Sequence, residues 1–147
     1  MGARIAMALL RLISCLPLSA QSMLGAGAGA LLHALASERR RIAECNLHAC
    51  MPERGDAARA ALVRAHFKWL GRSIVERGFL WYASRERIER SIQVEGDVTF
   101  AERSEQPTMW LVPHFMGLEV AATAVQLFQS QRGATIYQTQ SNAVFDA

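Results

Sequence analysis

Apolar and polar positions change rhythm several times along the chain, and each change predicts an element. Residues 12–36 contain no Lys, Arg, Asp or Glu, a stretch about as long as the roughly 20 residues that cross the hydrocarbon core of a bilayer. Pro17, Gln21, Gly25, Gly27 and Gly29 interrupt its apolar character, although small residues are tolerated in membrane helices and let a neighbour approach closely. A secretory signal peptide is the competing reading, with Arg4 as its charged start and Leu18, Ser19 and Ala20 as a poor cleavage site. Arg11 breaks that pattern and apolar residues continue past Ala20, so residues 1–37 are expected to form an uncleaved membrane anchor, either one span or a helix lying in the interface.

After Pro52 and Gly55, the chain changes to a helical period. Val63, Phe67, Leu70 and Ile74, widened by Leu62, His66 and Trp69, predict a helix that Asp56 caps and that runs to about Tyr82. His66 falls on its apolar side and is expected to be buried. Arg64, Lys68 and Arg72 recur at every fourth position and so share one basic stripe. Residues 85–90 are a mixed-charge helix or loop, and residues 91–95 alternate as a short strand ended by Gly96 and Asp97. Met109, Trp110, Leu111 and Val112 form a continuous apolar run, the pattern of a strand buried on both faces, which Pro113 ends. From Glu119 the apolar positions Ala121, Ala124, Val125 and Phe128 recur at helical spacing, Gly133 stops the helix, and Ala134, Thr135, Ile136 and Tyr137 read as the next strand. The expected architecture is therefore α/β: an anchor helix over 1–37, then an incomplete α/β domain over 38–147 containing a βαβ unit at residues 109–137, parallel and right-handed.

Composition narrows this picture only in part. A chain of 147 residues is at most one modest domain. The formal net charge is +3, and Lys68 is the one basic residue out of 16 that is not Arg. Arg recognises phosphate through a planar fork, so an anionic partner fits, whether lipid or nucleic acid. No nucleic-acid motif is present, and the apolar N-terminus argues against that class. Cys15, Cys45 and Cys50 include no C-x-x-C pair, and the spacing of Cys45, His48 and Cys50 matches no common zinc pattern, so neither metal nor cofactor is expected.

The candidate chemistry lies at His114 and Glu119. On one regular helix, five positions would set their side chains about 140° apart, where they could not meet. With His114 at a strand end and Glu119 in the first turn of the next helix, both can enter one crevice, and Glu119 gains from the positive end of the helix. A carboxylate bonded to one imidazole nitrogen leaves the other free to accept a proton near neutral pH, so the pair reads as a general base with its orienter. A lone His beside an apolar strand is more often structural, and spacing alone does not decide between the two.

The run LVPHFMGLE, from Leu111 through His114 to Glu119, resembles the H-x4-D/E motif of the lipid A biosynthesis acyltransferases, the late lauroyl and myristoyl transferases of Gram-negative bacteria. A second match lies upstream, where Arg39, Arg40 and Arg41 lead into Ile42, Ala43, Asn46 and Leu47, followed by Pro52 and Glu53. The resemblance implies a glycerolipid-acyltransferase-like core in which His114 deprotonates a hydroxyl on a lipid A precursor. The alkoxide attacks the thioester of an acyl-acyl carrier protein, Glu119 holds His114, and no covalent acyl-enzyme forms. Independently of the resemblance, the stripe of Arg64, Lys68 and Arg72 can face lipid phosphates, although such a stripe is more often merely solvated. Arg39, Arg40 and Arg41 follow the anchor at once, and by the positive-inside tendency they place the downstream domain in the cytoplasm and can contact anionic lipid, a solvated charge run being the alternative. With the resemblance, the expected location is the inner membrane, catalytic part on the cytoplasmic side. Gln138 and Gln140 stand where such proteins often carry an Arg. The likeness covers only the front half of the family, so these residues alone are expected to be a truncated product or fragment with little activity. A membrane-bound remnant that binds lipid or carrier protein without catalysis is the alternative.

Overall fold

The computed structural model describes residues 2–97 and 99–135, and every regular element among them is an α-helix. The order is α1 (Gly2–Ser14), α2 (Leu18–Leu35), α3 (Ser37–Cys50), α4 (Asp56–Tyr82), α5 (Arg85–Glu89), α6 (Phe100–Arg103) and α7 (Leu118–Phe128). Helix α4, 27 residues long, is the spine on which α1, α2, α3 and α7 lie. Its buried positions Val63, Phe67, Gly71, Val75 and Phe79 fall on one i+4 row, as do Gln21, Gly25 and Gly29 on α2. Such rows are the ridges by which helices interdigitate.

Glycine decides how closely these two ridges meet. A Cβ added to Gly25 would lie 2.6 Å from the Arg72 Cα, and one on Gly29 would lie 2.8 Å from the Lys68 Cα and overlap the Phe67 carbonyl oxygen. From the other side, a Cβ on Gly71 would overlap the Gly25 carbonyl oxygen. Numbers fall along α2 as they rise along α4, so the two helices run antiparallel. Helix α1 follows the far end of α4, where a Cβ on Gly78 would meet the Leu10 carbonyl oxygen at 2.8 Å. The glycine-rich run is thus the surface through which α2 meets a neighbouring helix.

This arrangement corrects the α/β expectation. The described residues contain no strand and no βαβ unit. Met109, Trp110, Leu111 and Val112 follow an irregular path, with Met109 and Leu111 almost fully exposed. An apolar run becomes a strand only when a neighbour supplies a hydrogen-bonding ladder, and no described segment pairs with it. Residues 91–95 are likewise irregular, as are Ala134 and Thr135, while Ile136 and Tyr137 lie outside the described residues. A single-span anchor is corrected too. The uncharged stretch breaks at Pro17 into two helices, and no helix among the described residues is long and apolar enough to cross a membrane. At about 1.5 Å per residue, the 18 residues of α2 reach roughly 27 Å, and their buried stripe is glycine and glutamine rather than hydrocarbon.

Pro17 frees carbonyl groups at the end of α1, and two side chains take them up. The buried Gln21 donates through Nε2 to the Leu16 oxygen at 2.8 Å and the Ser14 oxygen at 3.3 Å. Arg87 of α5 donates to the same two oxygens, each at 2.5 Å, with its guanidinium 5.1 Å from the Phe79 ring centre. Arg87 thereby ties α5 to the α1–α2 corner across 71 residues of chain. Hydrogen bonds from charged donors contribute about 1.5–3 kcal/mol each when buried, and partial exposure here reduces that. Arg87→Ala is expected to cost about 1–2 kcal/mol in guanidinium unfolding. Arg87→Lys should recover little of it, because an ammonium cannot serve both acceptors with a fixed fork.

Candidate functional site

Between Pro113 and α7 the chain makes two successive turns that set where His114 and Glu119 point. The Phe115 amide donates to the Pro113 oxygen at 2.8 Å, a three-residue turn centred on His114. No described non-glycine residue has positive φ, so this is the inverse γ form. The Leu118 amide then donates to the Phe115 oxygen at 3.2 Å, with Gly117 at φ +93° and ψ 3°. Those angles at the third position, after a residue of negative φ, define a type II turn, which demands glycine there. Gly117 also caps α7, its oxygen accepting from the Ala121 amide at 3.0 Å.

A Cβ on Gly117 would meet nothing within 4 Å, so only its backbone conformation constrains the residue. Gly117→Ala is expected to cost about 1–2 kcal/mol locally, the penalty of the left-handed region for an L side chain. Gly117→Asn should cost less, since Asn tolerates that region. Hydrogen exchange at the Leu118 and Ala121 amides would measure the difference directly.

His114 and Glu119 line the same opening, about 280 Å³, together with Ser73, Glu76, Arg77 and Leu80 of α4. His114 is exposed and makes no hydrogen bond to any described residue. Glu119, in the first turn of α7, pairs not with His114 but with Arg77, whose Nε lies 2.9 Å from Glu119 Oε1. The other carboxylate oxygen, Oε2, is shielded from solvent and has no partner. A shielded acceptor left unsatisfied costs about 1–3 kcal/mol, so Oε2 is an open position for a donor. The far end of α7 is tied to α6 through Glu102, which accepts from the Ser130 amide at 2.5 Å; that bond holds the Glu102 carboxyl below the usual carboxylate range.

The remaining sequence-derived residues lie elsewhere. Arg64, Lys68 and Arg72 do share one side of α4, but none lines the opening that holds His114. Arg64 and Lys68 are exposed, while Arg72 stacks 4.6 Å from the Trp69 ring centre with its Nε shielded and unpartnered. Arg40 caps α2 by donating to the His33 oxygen at 2.5 Å and faces Glu44 at 3.8 Å. Arg39 borders an apolar groove of about 790 Å³ between α3 and α4, and Arg41 is exposed. His66, expected to be buried, is exposed and meets Phe67 edge-on at 5.7 Å. No group of three His, Cys, Asp or Glu among the described residues is placed to hold a metal ion.

Two residues at the opening escaped the sequence reading. Gly117 carries a signal, a glycine between the histidine and the helix start. Arg77 carries almost none, because it lies one position off the row that runs from Arg64 through Arg72 to Glu76.

The site thus offers an exposed imidazole that shares one opening, without a direct contact, with a carboxylate at a helix N-terminus, two groups of the kind used to move protons in acid–base chemistry. Comparison with known proteins identifies the lineage that carries this chain. It belongs to the bacterial lipid A biosynthesis acyltransferase family, whose profile matches residues 1–147. It is 30% identical over 141 residues to a lipid A biosynthesis acyltransferase of Haemophilus influenzae, covering 95% of this chain and 45% of that protein. It is 27% identical to the lipid A biosynthesis palmitoleoyltransferase of Escherichia coli, covering 89% and 43% respectively. The lipid A biosynthesis lauroyltransferase of Escherichia coli is also 27% identical, with 92% and 44% covered. The chain thus spans less than half the length of these relatives. No solved structure matches it significantly.

Proposed function

We propose that the full-length protein transfers a fatty acyl chain from acyl-acyl carrier protein to a hydroxyl of a lipid A precursor, with His114 as general base. The His114 imidazole accepts the hydroxyl proton as the oxygen forms its bond to the thioester carbonyl carbon. The carbon–sulfur bond then breaks, and the departing thiolate takes the proton back from His114. Acyl passes directly between the substrates, so no residue of the chain becomes acylated. Glu119 accepts the second imidazole N–H and balances the transient positive charge. The observation that carries this reading is that His114 and Glu119, separated by two turns, line one opening against α4.

Association with the cytoplasmic face of the inner membrane belongs to the same proposal. On α1, Ile5, Leu9 and Leu12 form an exposed apolar stripe at helical spacing, flanked by the exposed Arg4 and Arg11. That is the pattern of a helix lying in a lipid interface. Arg39 and Arg41 add exposed positive charge, each basic residue near anionic lipid contributing about 1 kcal/mol. Arg64, Lys68 and Arg72 supply a basic row for the phosphates of the glycolipid.

The test is to express the full-length protein in a Gram-negative host whose own late acyltransferase has been deleted, then weigh its lipid A. A mass increase of one fatty acyl chain is expected. An unchanged lipid A, with the protein present in the membrane fraction, would defeat the proposal and favour a non-catalytic lipid- or carrier-binding role.

A further inference from the structure

We propose that Arg77 is a positioning residue for acyl transfer, acting on His114 through Glu119; this rests on the histidine–glutamate reading above. Arg77 projects from α4, the longest helix, whereas Glu119 stands at the start of α7, which has no fully buried residue. A glutamate on so lightly packed a helix has several rotamers available. The 2.9 Å contact from Arg77 Nε to Oε1 selects one of them. It occupies one carboxylate oxygen and leaves Oε2, shielded and unpartnered, as the acceptor for the imidazole N–H.

The charges around the opening support the same assignment. Its titratable lining residues are Glu76 and Arg77 from α4, with His114 and Glu119 from the segment opposite. Arg77 is the only Arg or Lys among these described lining residues. Without it, two carboxylates share the opening and nothing on α4 draws Glu119 inward. Both partners are about half exposed, 48% for Arg77 and 40% for Glu119, so the pair adds little to overall stability. Its contribution lies in geometry, and geometry is read in turnover.

The experiment measures steady-state acyl transfer by the full-length enzyme with acyl-acyl carrier protein and lipid A precursor. Arg77→Ala is expected to lower kcat about tenfold, with KM for the donor and the melting temperature unchanged, because the group acts on the base rather than on substrate binding. Arg77→Lys should restore part of the loss. In a Glu119→Ala background, Arg77→Ala should cost nothing further, since residues acting as a unit are non-additive. A full additional loss in that background overturns the proposal, as it would assign Arg77 to substrate or to folding. Faster turnover in Arg77→Ala overturns it too, showing that the ion pair holds Glu119 away from His114. Should Arg77→Ala fail to fold, Arg77→Gln replaces it in the same cycle. If His114→Ala turns over like the parent enzyme, the general-base reading itself has failed, whatever Arg77 does.

Discussion

His114→Ala is expected to lower kcat of the acyl transfer proposed for the full-length protein by about 10²–10⁴-fold, the usual contribution of a positioned general base. The loss should appear in kcat and in kcat/KM alike, because proton removal strengthens only as the transition state forms. KM for either substrate should move little. Since His114 is exposed and bonded to no described residue, its loss should leave thermal unfolding unchanged, separating chemistry from stability. Glu119→Ala should cost about 10²-fold, at the lower end of the same range, because the imidazole remains but its orientation and tautomer are no longer fixed. The double variant should be little worse than His114→Ala alone, an orienter being useless without the group it orients. Equal activity of His114→Ala and parent would show that the proton leaves by another route.

The second large effect concerns stability and turns on three glycines, Gly27 and Gly29 of α2 and Gly71 of α4. In a helix interior, replacing glycine by alanine gains up to about 1 kcal/mol. At Gly27, where an added Cβ meets nothing within 4 Å, that gain should be realised, and Gly27→Ala should raise the melting temperature slightly. At Gly29 the same methyl collides with the Phe67 carbonyl oxygen and lies 2.8 Å from the Lys68 Cα. Those atoms are backbone of α4 and cannot swing aside. Forcing a methylene into a packed contact costs about 1–3 kcal/mol, more than propensity returns, so Gly29→Ala should destabilise. Gly71→Val adds a branched side chain at the crossing point and should cost about 3 kcal/mol or more, with a fall in melting temperature of roughly 10 °C. Should Gly27→Ala and Gly29→Ala shift melting in the same direction, α2 does not pack on α4 through this face.

The long helix and its limits were legible because its signals are local. Apolar residues recur at helical spacing from Leu62 to Ile74 and the helix ends at Tyr82 as expected, although Gly55 rather than Asp56 takes the cap position. Which residues of that helix face inward was less legible. The expected stripe included Leu70 and Ile74, yet the buried row is Val63, Phe67, Gly71, Val75 and Phe79. Hydrophobicity alone ranks Leu70 and Ile74 above Gly71, but close approach by Gly25 and Gly29 rewards the smallest residue. Gln21, which reads as a blemish in an apolar span, is fully buried because it caps the carbonyls that Pro17 releases. Arg87, in an unremarkable charged run, serves the same carbonyls from the other side.

The strands were misread for a related reason. Residues 109–112 and 91–95 have the composition of strands, but a strand is not a local object. Its hydrogen bonds belong to a neighbour, and no described segment takes that place.

The sequence by itself determined what depends on near neighbours along the chain: the periods of α4 and α7, the far limit of α4, and the letters by which the family is recognised. The tertiary structure alone decided which face of α4 is inside, and that the apolar N-terminus folds as two helices against it. It also decided that Glu119 meets Arg77, a residue far from it along the chain. Short-range preferences are written in dihedral angles and spacing, which any window of sequence displays. A contact between distant residues depends on how closely two helices approach, and here that distance is set by hydrogen atoms standing where side chains would be.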